Sequence, residues 1–294
     1  MDHKSETLEG AERNMSHKLF VRLQLVYGSL KTAEKKAADL ILTQPTKVEK
    51  LNITEAASLA GCSEATLTRF AKKLDFSGYP ELRAAISQNG DENPTFYENI
   101  ESHDRESDIV RKVFMASMQA IEDSLNTIDG AQYEAAVDAL VSADRVLLAG
   151  YGDASTIALA AYLKFLRIGM DVIYTTDFDV QLIQASQLKK GDVVLAVSHT
   201  GRTETLVEMV KCARSSGAKI ISITNFPVSP LAKQSDVLLI TATYLKDAMG
   251  EVMTKRIPGL CIIESLYISL ARRNPIYTEM TLKLSTESLM HNKV

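Results

Sequence analysis

Six consecutive residues, Ser198-His199-Thr200-Gly201-Arg202-Thr203, gather three hydroxyls, an imidazole and a glycine between an apolar run at 192–197 and an amphipathic stretch. Hydroxyls collected where a strand passes into a helix can hold a phosphoryl group, because N–H donors and the helix dipole both favour an anion there. Simple N-capping accounts for one such hydroxyl and leaves two over. A second segment, Gly150-Tyr151-Gly152-Asp153-Ala154-Ser155, follows the run at 145–149 in the same way. Its small residues let backbone N–H groups approach an anion, and they suit equally the tight turn of any strand-to-helix connection. The chain has no GxxxxGK[ST] pattern, which argues against nucleoside triphosphate chemistry.

A third group lies at 52–74, NITEAASLAGCSEATLTRFAKKL. Asn52 with Glu55 makes a capping box that starts one short helix, and Gly61 supplies the positive-φ corner that ends it. Ser63 then caps a second helix. Ala57, Gly61 and Leu67 fall at the small, turn and apolar positions of a helix-turn-helix. On the second helix Leu67, Phe70, Ala71 and Leu74 form the buried stripe, leaving Glu64, Ala65, Thr66, Thr68, Arg69, Lys72 and Lys73 outward. A recognition helix offers its amino-terminal residues to base edges and its flanks to phosphates. That assigns Ser63, Thr66 and Arg69 to the groove side and Lys72 and Lys73 to the phosphates, with Thr68 also among the expected DNA-binding residues.

Two kinds of scaffold must position these groups. Residues 19–45 carry apolar positions at helical spacing, Leu19, Leu23, Val26 and Leu30, then Ala33, Ala37, Leu40 and Ile41; a compact helical group follows to about Ser87. Helices are also expected from Ile109 to Leu125 and from Tyr133 to Val141. After Asp144 the pattern changes to short runs, apolar on both faces, at 145–149, 171–174, 192–197, 219–224 and 236–240. Amphipathic stretches near 156–168, 180–187, 203–216 and 251–272 alternate with them. That grammar predicts a parallel open sheet covered by helices on both sides, with both loops at the carboxyl ends of strands, where such sheets bind ligands. The domain expectation is a disordered tail at 1–17, a helix-turn-helix domain at 18–87, a polar linker at 88–108 and an α/β domain at 109–294.

Composition narrows the function classes. Of 294 residues, 46% are hydrophobic and 24% charged, the balance of a globular chain rather than a disordered one. No apolar run approaches bilayer-spanning length and no signal peptide is visible, so a cytoplasmic protein without membrane contact is expected. Cys62, Cys212 and Cys261 form neither a disulfide framework nor a metal pair, and neither metal nor cofactor is expected. Residues 18–87 hold 11 Lys and Arg against 7 Asp and Glu, while the whole chain is at -4. A basic block beside an acidic body is consistent with one domain that faces nucleic acid.

The run CSEATLTRFAKKLDFSGYPELRAAI resembles the DNA-binding domain of the RpiR family of bacterial transcriptional regulators, matching at Ser63, Thr66, Arg69, Phe70, Leu74, Phe76, Gly78 and Tyr79. Asp75 stands where that family often has glycine. SHTGRT resembles the SxSGxT phosphosugar signature of sugar isomerase (SIS) domains, and KFLRIG at 164–169 is similar to the SIS domains of these regulators. The resemblance implies a flavodoxin-like five-stranded parallel SIS domain behind a helical domain. It further implies that Ser198, Thr200 and Thr203 hold a phosphate, that His199 lines the sugar, and that Gly152 lets the first loop approach. The usual first-loop serine falls on Ala154, with Ser155 one step later. Gly201 and Glu251 complete the expected effector site. The implied protein is a homodimeric or homotetrameric regulator without catalytic residues, bound to palindromic double-stranded DNA and controlled by a phosphorylated sugar. The alternative is an aldose-ketose isomerase that uses His199 and Glu251, with Lys255 one turn beyond.

Overall fold

The computed structural model describes residues 30–87, 100, 103–242 and 253–290, together with 19, 22, 23, 26 and 27. The expected tail and most of the expected linker therefore lie outside the described residues. The chain divides into two compact units, residues 1–114 with 242–250, and residues 115–241 with 251–294.

The first unit is helical. Leu19 and Leu23 are buried helical residues, followed by α1 (Thr32–Thr43) and the single turn α2 (Pro45–Val48). Next come α3 (Ile53–Ala60), α4 (Glu64–Lys73) and α5 (Tyr79–Ser87). Ala37, Ile41, Ala57, Leu67, Phe70, Leu74, Leu82 and Ile86 close a core, each large side chain contributing roughly 1.5–3 kcal/mol by leaving water. The capping box forms as expected: Glu55 N–H donates to Asn52 Oδ1, and Asn52 N–H donates to Glu55 Oε2, both at 2.9 Å.

Both helices of the corner end in the same way. Gly61 at φ +63° lets Cys62 N–H reach Ala57 O and Gly61 N–H reach Ser58 O. Asp75 takes φ +62° after α4, with Phe76 N–H on Ala71 O and Asp75 N–H on Lys72 O. Aspartate tolerates this left-handed state better than most residues. The substitution for glycine thus keeps the helix stop, and Asp75 gains an ion pair with Arg22.

The unit boundary falls within α6 (Glu106–Thr127). The second unit continues with α7 (Gly130–Val141), β1 (Val146–Gly150), α8 (Ala154–Arg167), β2 (Val172–Tyr174) and α9 (Phe178–Ser186). It is completed by β3 (Val193–Val197), α10 (Glu204–Ser215), β4 (Lys219–Thr224), β5 (Val237–Ile240), α11 (Met253–Arg273) and α12 (Pro275–Leu289). All strand pairs are parallel, in the order β2-β1-β3-β4-β5. Alternate strand residues serve two cores. Val146, Leu148, Leu195 and Ile221 pack with α7, α8 and α11, while Leu147, Ala149, Val194 and Ala196 pack with α9 and α10. The helix α12 has no counterpart in the sequence expectation. It starts at Pro275, in the position where proline's missing N–H costs nothing, with Asn274 accepting from Tyr277 N–H.

The KFLRIG segment is a helix stop. Gly169 at φ +80° lets Met170 N–H reach Phe165 O, and a Cβ there would come within 2.7 Å of Tyr277 and Thr281 of α12. Glycine is therefore required twice, by the left-handed turn and by the close helix.

Candidate functional site

In the helical unit, Ser63 caps α4: Thr66 N–H donates to its Oγ at 3.2 Å. The exposed side of α4 carries Glu64, Ala65, Arg69 and Lys72, with Thr68 half-buried and its hydroxyl donating to Glu64 O at 3.0 Å. One residue departs from the outward-facing expectation. Thr66 is 6% exposed, and its hydroxyl lies 2.9 Å from Ser63 Oγ and accepts from Arg69 Nη2 at 3.3 Å. It sits beside Leu67 at the core edge and orders the helix start. Lys73 is exposed as expected, and its ammonium reaches Glu34 of α1 at 3.2 Å, a bond between helices. Of the residues expected to meet DNA, Ser63, Arg69, Lys72 and Lys73 are solvent-facing, with the Thr66 hydroxyl behind Ser63 and Arg69.

In the α/β unit, the strand order places β1 beside β3, with β2 on one side and β4 and β5 on the other. The chain reverses direction across the sheet between β1 and β3, and a crevice opens at the carboxyl ends of strands flanking such a switch. Gly150 and Val197 are register partners, so both loops leave the sheet side by side.

The second loop is built around Gly201. At φ +62° it turns the chain so that its N–H donates to Ser198 Oγ at 3.1 Å, while Leu231 N–H donates to its carbonyl at 3.0 Å. A Cβ here would sit 2.1 Å from Ser229 Oγ. The His199 carbonyl accepts from Asn225 N–H at 3.0 Å and from Thr224 Oγ1 at 3.1 Å. The backbone is thus pinned to the end of β4. Ser198 is buried and lies 3.4 Å, hydroxyl to hydroxyl, from Thr203, which is the N-cap of α10 yet makes no side-chain cap bond. Thr200 is exposed, and its Oγ1 accepts from Arg202 N–H at 3.3 Å. Uncapped helix amides with two converging hydroxyls can receive an oxyanion.

His199 lies behind this opening, edge-on to Phe226 at 6.1 Å between ring centroids. Its Nδ1 is buried without a hydrogen-bond partner. Burial, with the Lys255 charge second, pushes its pKa from 6.5 down to about 4, so the ring is neutral at ordinary pH.

The first loop behaves differently. Gly152 turns at φ +55°, and Ala154, Ser155 and Thr156 N–H groups donate to Tyr151, Gly152 and Asp153 carbonyls in a tight turn. Ser155 Oγ donates to Gly152 O at 2.6 Å. The amides and hydroxyl expected to face an anion thus satisfy the loop itself. Tyr151 donates to Gln181 Oε1 at 2.7 Å, and burial pushes its phenol up to about 12. Asp153 pairs with Arg256 of α11, Nε to Oδ1 at 2.8 Å, a contact the sequence reading missed. Its sequence signal was available, since Lys255 and Arg256 set two cations in the first turn of a helix, against the dipole preference. Glu251 lies outside the described residues. Among the described residues there is no group of three His, Cys, Asp or Glu suited to a metal, and no helix is long and apolar enough to cross a membrane.

Comparison with known proteins agrees with this geometry. Residues 17–92 match the model of the helix-turn-helix domain of the rpiR family, and residues 139–259 match the SIS domain. An HTH-type transcriptional regulator of Thermotoga maritima is 33% identical over 86% of this chain and 92% of its own length. The HTH-type transcriptional regulator HexR of Pseudomonas aeruginosa is 30% identical over 92% and 95%. Among solved structures, the Vibrio vulnificus NanR protein complexed with ManNAc-6P shares the fold, with a TM-score of 0.63 at 24% identity over 94% of this chain and 99% of that one. With a helix-turn-helix corner at Gly61, a five-stranded parallel sheet and full-length relatives of the same build, the chain belongs to the rpiR family of HTH-type transcriptional regulators that carry a SIS domain.

Proposed function

We infer that this regulator acts in the cytoplasm as a homodimer or homotetramer, binding palindromic double-stranded DNA through α4 and a phosphorylated sugar through its SIS domain. Residues 18–87 form the DNA-reading part, 88–108 the connection and 109–294 the effector part. Ser63, Thr68, Arg69, Lys72 and Lys73 meet the DNA; Ser198, Thr203 and the first amides of α10 hold the phosphoryl group, Thr200 closes over it and His199 lines the sugar. Ligand control follows if the sugar phosphate binds two arrangements of paired DNA-reading domains with unequal affinity.

The observation that carries this reading is the second loop: two hydroxyls converging on an uncapped helix start, pinned at the switch point of the sheet. The self-association reading draws on exposed apolar residues along α8 (Leu159, Leu163 and Leu166) and along α12, where Ile276 is 83% exposed. Apolar faces of that extent mark contact surfaces.

A regulator rather than an isomerase is favoured by His199. A ring held neutral down to about pH 4 is a weak base for taking a proton from a sugar carbon at neutral pH. Replacing Ser198 and Thr203 together by Ala should abolish the rise in Tm that sugar phosphates and inorganic phosphate give the native chain, with DNA affinity unchanged in their absence. Replacing Arg69 and Lys72 by Ala should reduce operator binding at least tenfold with Tm unchanged, each removing roughly 1–3 kcal/mol. A retained ligand response in the first variant, or retained operator binding in the second, refutes the corresponding half.

A further inference from the structure

Helix α4 begins with an acid. Glu64 is its first residue, directly after the Ser63 cap, and Ala65, Thr68, Arg69 and Lys72 follow on the same side at helical spacing. That side is left outward once Thr66, Leu67, Phe70 and Ala71 are buried. A recognition helix offers its amino-terminal residues to base edges in the major groove, so Glu64 arrives where sequence is read.

A carboxylate near DNA is repelled by every phosphate it passes, and it costs affinity unless it finds a donor on the bases. The dipole of α4 accounts for an acid in the first turn. It does not account for how this one is held. Thr54, in the first turn of α3, donates its hydroxyl to Glu64 Oε1 at 2.7 Å. Both residues are exposed, and among the described residues no cation and no backbone N–H pairs with the Glu64 side chain. Other carboxylates of this unit are neutralised or used as caps. Glu34 meets Lys73 and Asp75 meets Arg22, while Glu55 and Glu81 accept from backbone N–H groups. Glu64 is instead oriented by a neutral group on a second helix, which leaves its charge unpaired and Oε2 open.

We propose that Glu64 reads cytosine and that Thr54 positions it to do so. In the major groove cytosine presents its N4 amino group, a donor that one carboxylate oxygen accepts. Guanine presents N7 and O6 and thymine presents O4, so with either base the carboxylate meets an acceptor and is repelled. Adenine sets the acceptor N7 beside its N6 donor and is disfavoured in the same way. Glu64 therefore selects by repulsion as well as by its hydrogen bond. Thr54 occupies Oε1, and Oε2 is left for the base. This rests on the placement of α4 against DNA and adds the base that the helix seeks.

The test is selection of bound sequences from a pool of random duplexes by the full chain, native and substituted. The native chain should select sites in which one base pair of each half-site is C·G, by about tenfold over the alternatives. Glu64→Gln carries an acceptor and a donor, the complement of adenine N6 and N7, and should move the preference at that position from cytosine to adenine. Glu64→Ala should level it, with the other positions unchanged. Thr54→Val keeps the shape of the side chain and should weaken the cytosine preference about threefold without changing the base preferred; an unchanged preference overturns the positioning role. If Glu64→Gln and Glu64→Ala recover the native sites while Arg69→Ala does not, this inference alone is overturned. An even loss of affinity across all sites with a lowered Tm means that Glu64 only starts the helix, and overturns it as well. A native chain that prefers no sequence, or an Arg69→Ala variant that selects as the native chain does, overturns the α4 reading and this inference together.

Discussion

The two loops at the carboxyl edge of the sheet start from paired residues, yet they dispose of their polar groups in opposite ways. In the first, Ser155 and three amides bond to carbonyls of the loop itself, and the charged side chain turns to α11. In the second, the backbone is fixed from outside by the end of β4, which leaves Thr203 and the start of α10 open. A loop held by its neighbours can keep donors for a ligand; a loop that holds itself consumes them. Counting hydroxyls in a sequence does not separate these cases, because the deciding bonds are made by residues far along the chain.

The contrast can be broken most severely at Gly201. Gly201→Ala places a methyl group against Ser229 at a left-handed backbone position, and should lower stability by roughly 3 kcal/mol, measured by denaturant unfolding, and remove the phosphate response. A stable, responsive variant would show that the second loop is not rigidly held. A comparable effect should come from pH. His199 has its folded pKa lowered to about 4, so the unfolded chain binds the proton more readily between pH 6.5 and 4. Its contribution is full above 6.5 and is lost as pH falls through that window, by roughly 3 kcal/mol at most. His199→Gln should flatten that part of the stability profile; an unchanged slope would place the titrating group elsewhere. The smallest effect belongs to the first loop. Ser155→Ala should change phosphate affinity less than twofold while lowering stability by about 1 kcal/mol, the worth of one internal hydrogen bond. A tenfold loss of affinity would mean that Ser155 turns to the ligand.

Much of the scaffold was legible because its causes are local. Apolar runs on both faces gave the five strands, and the Asn52–Glu55 box and Gly61 gave the corner. The misses share a non-local cause. Thr66 has the composition of a surface residue but is closed in by Ser63, Arg69 and the core under Leu67. Lys73 is exposed, and its contact with Glu34, 39 residues away in sequence, could not be read from its neighbours. Helix α12 carries Ile276, Met280 and Leu284 on an exposed side, so its periodicity does not advertise a buried stripe, although Asn274-Pro275 is a helix-start signal that could have been read. The second loop was legible from its own residues, whereas the Asp153–Arg256 ion pair required the packing of α8 on α11.

The pairing of Gly150 with Val197 carries a consequence for how such a chain changes its chemical vocabulary over evolutionary time. The mouth between the loops is set by the spacing of neighbouring strands, about 4.8 Å, which no side-chain replacement alters. The three-residue outer strand β2 lies outside the β1–β3 pair and can change in length without moving either rim. Selection for a new effector is thereby directed to single side chains on the rims, and the frame that holds them passes from one specificity to the next unaltered.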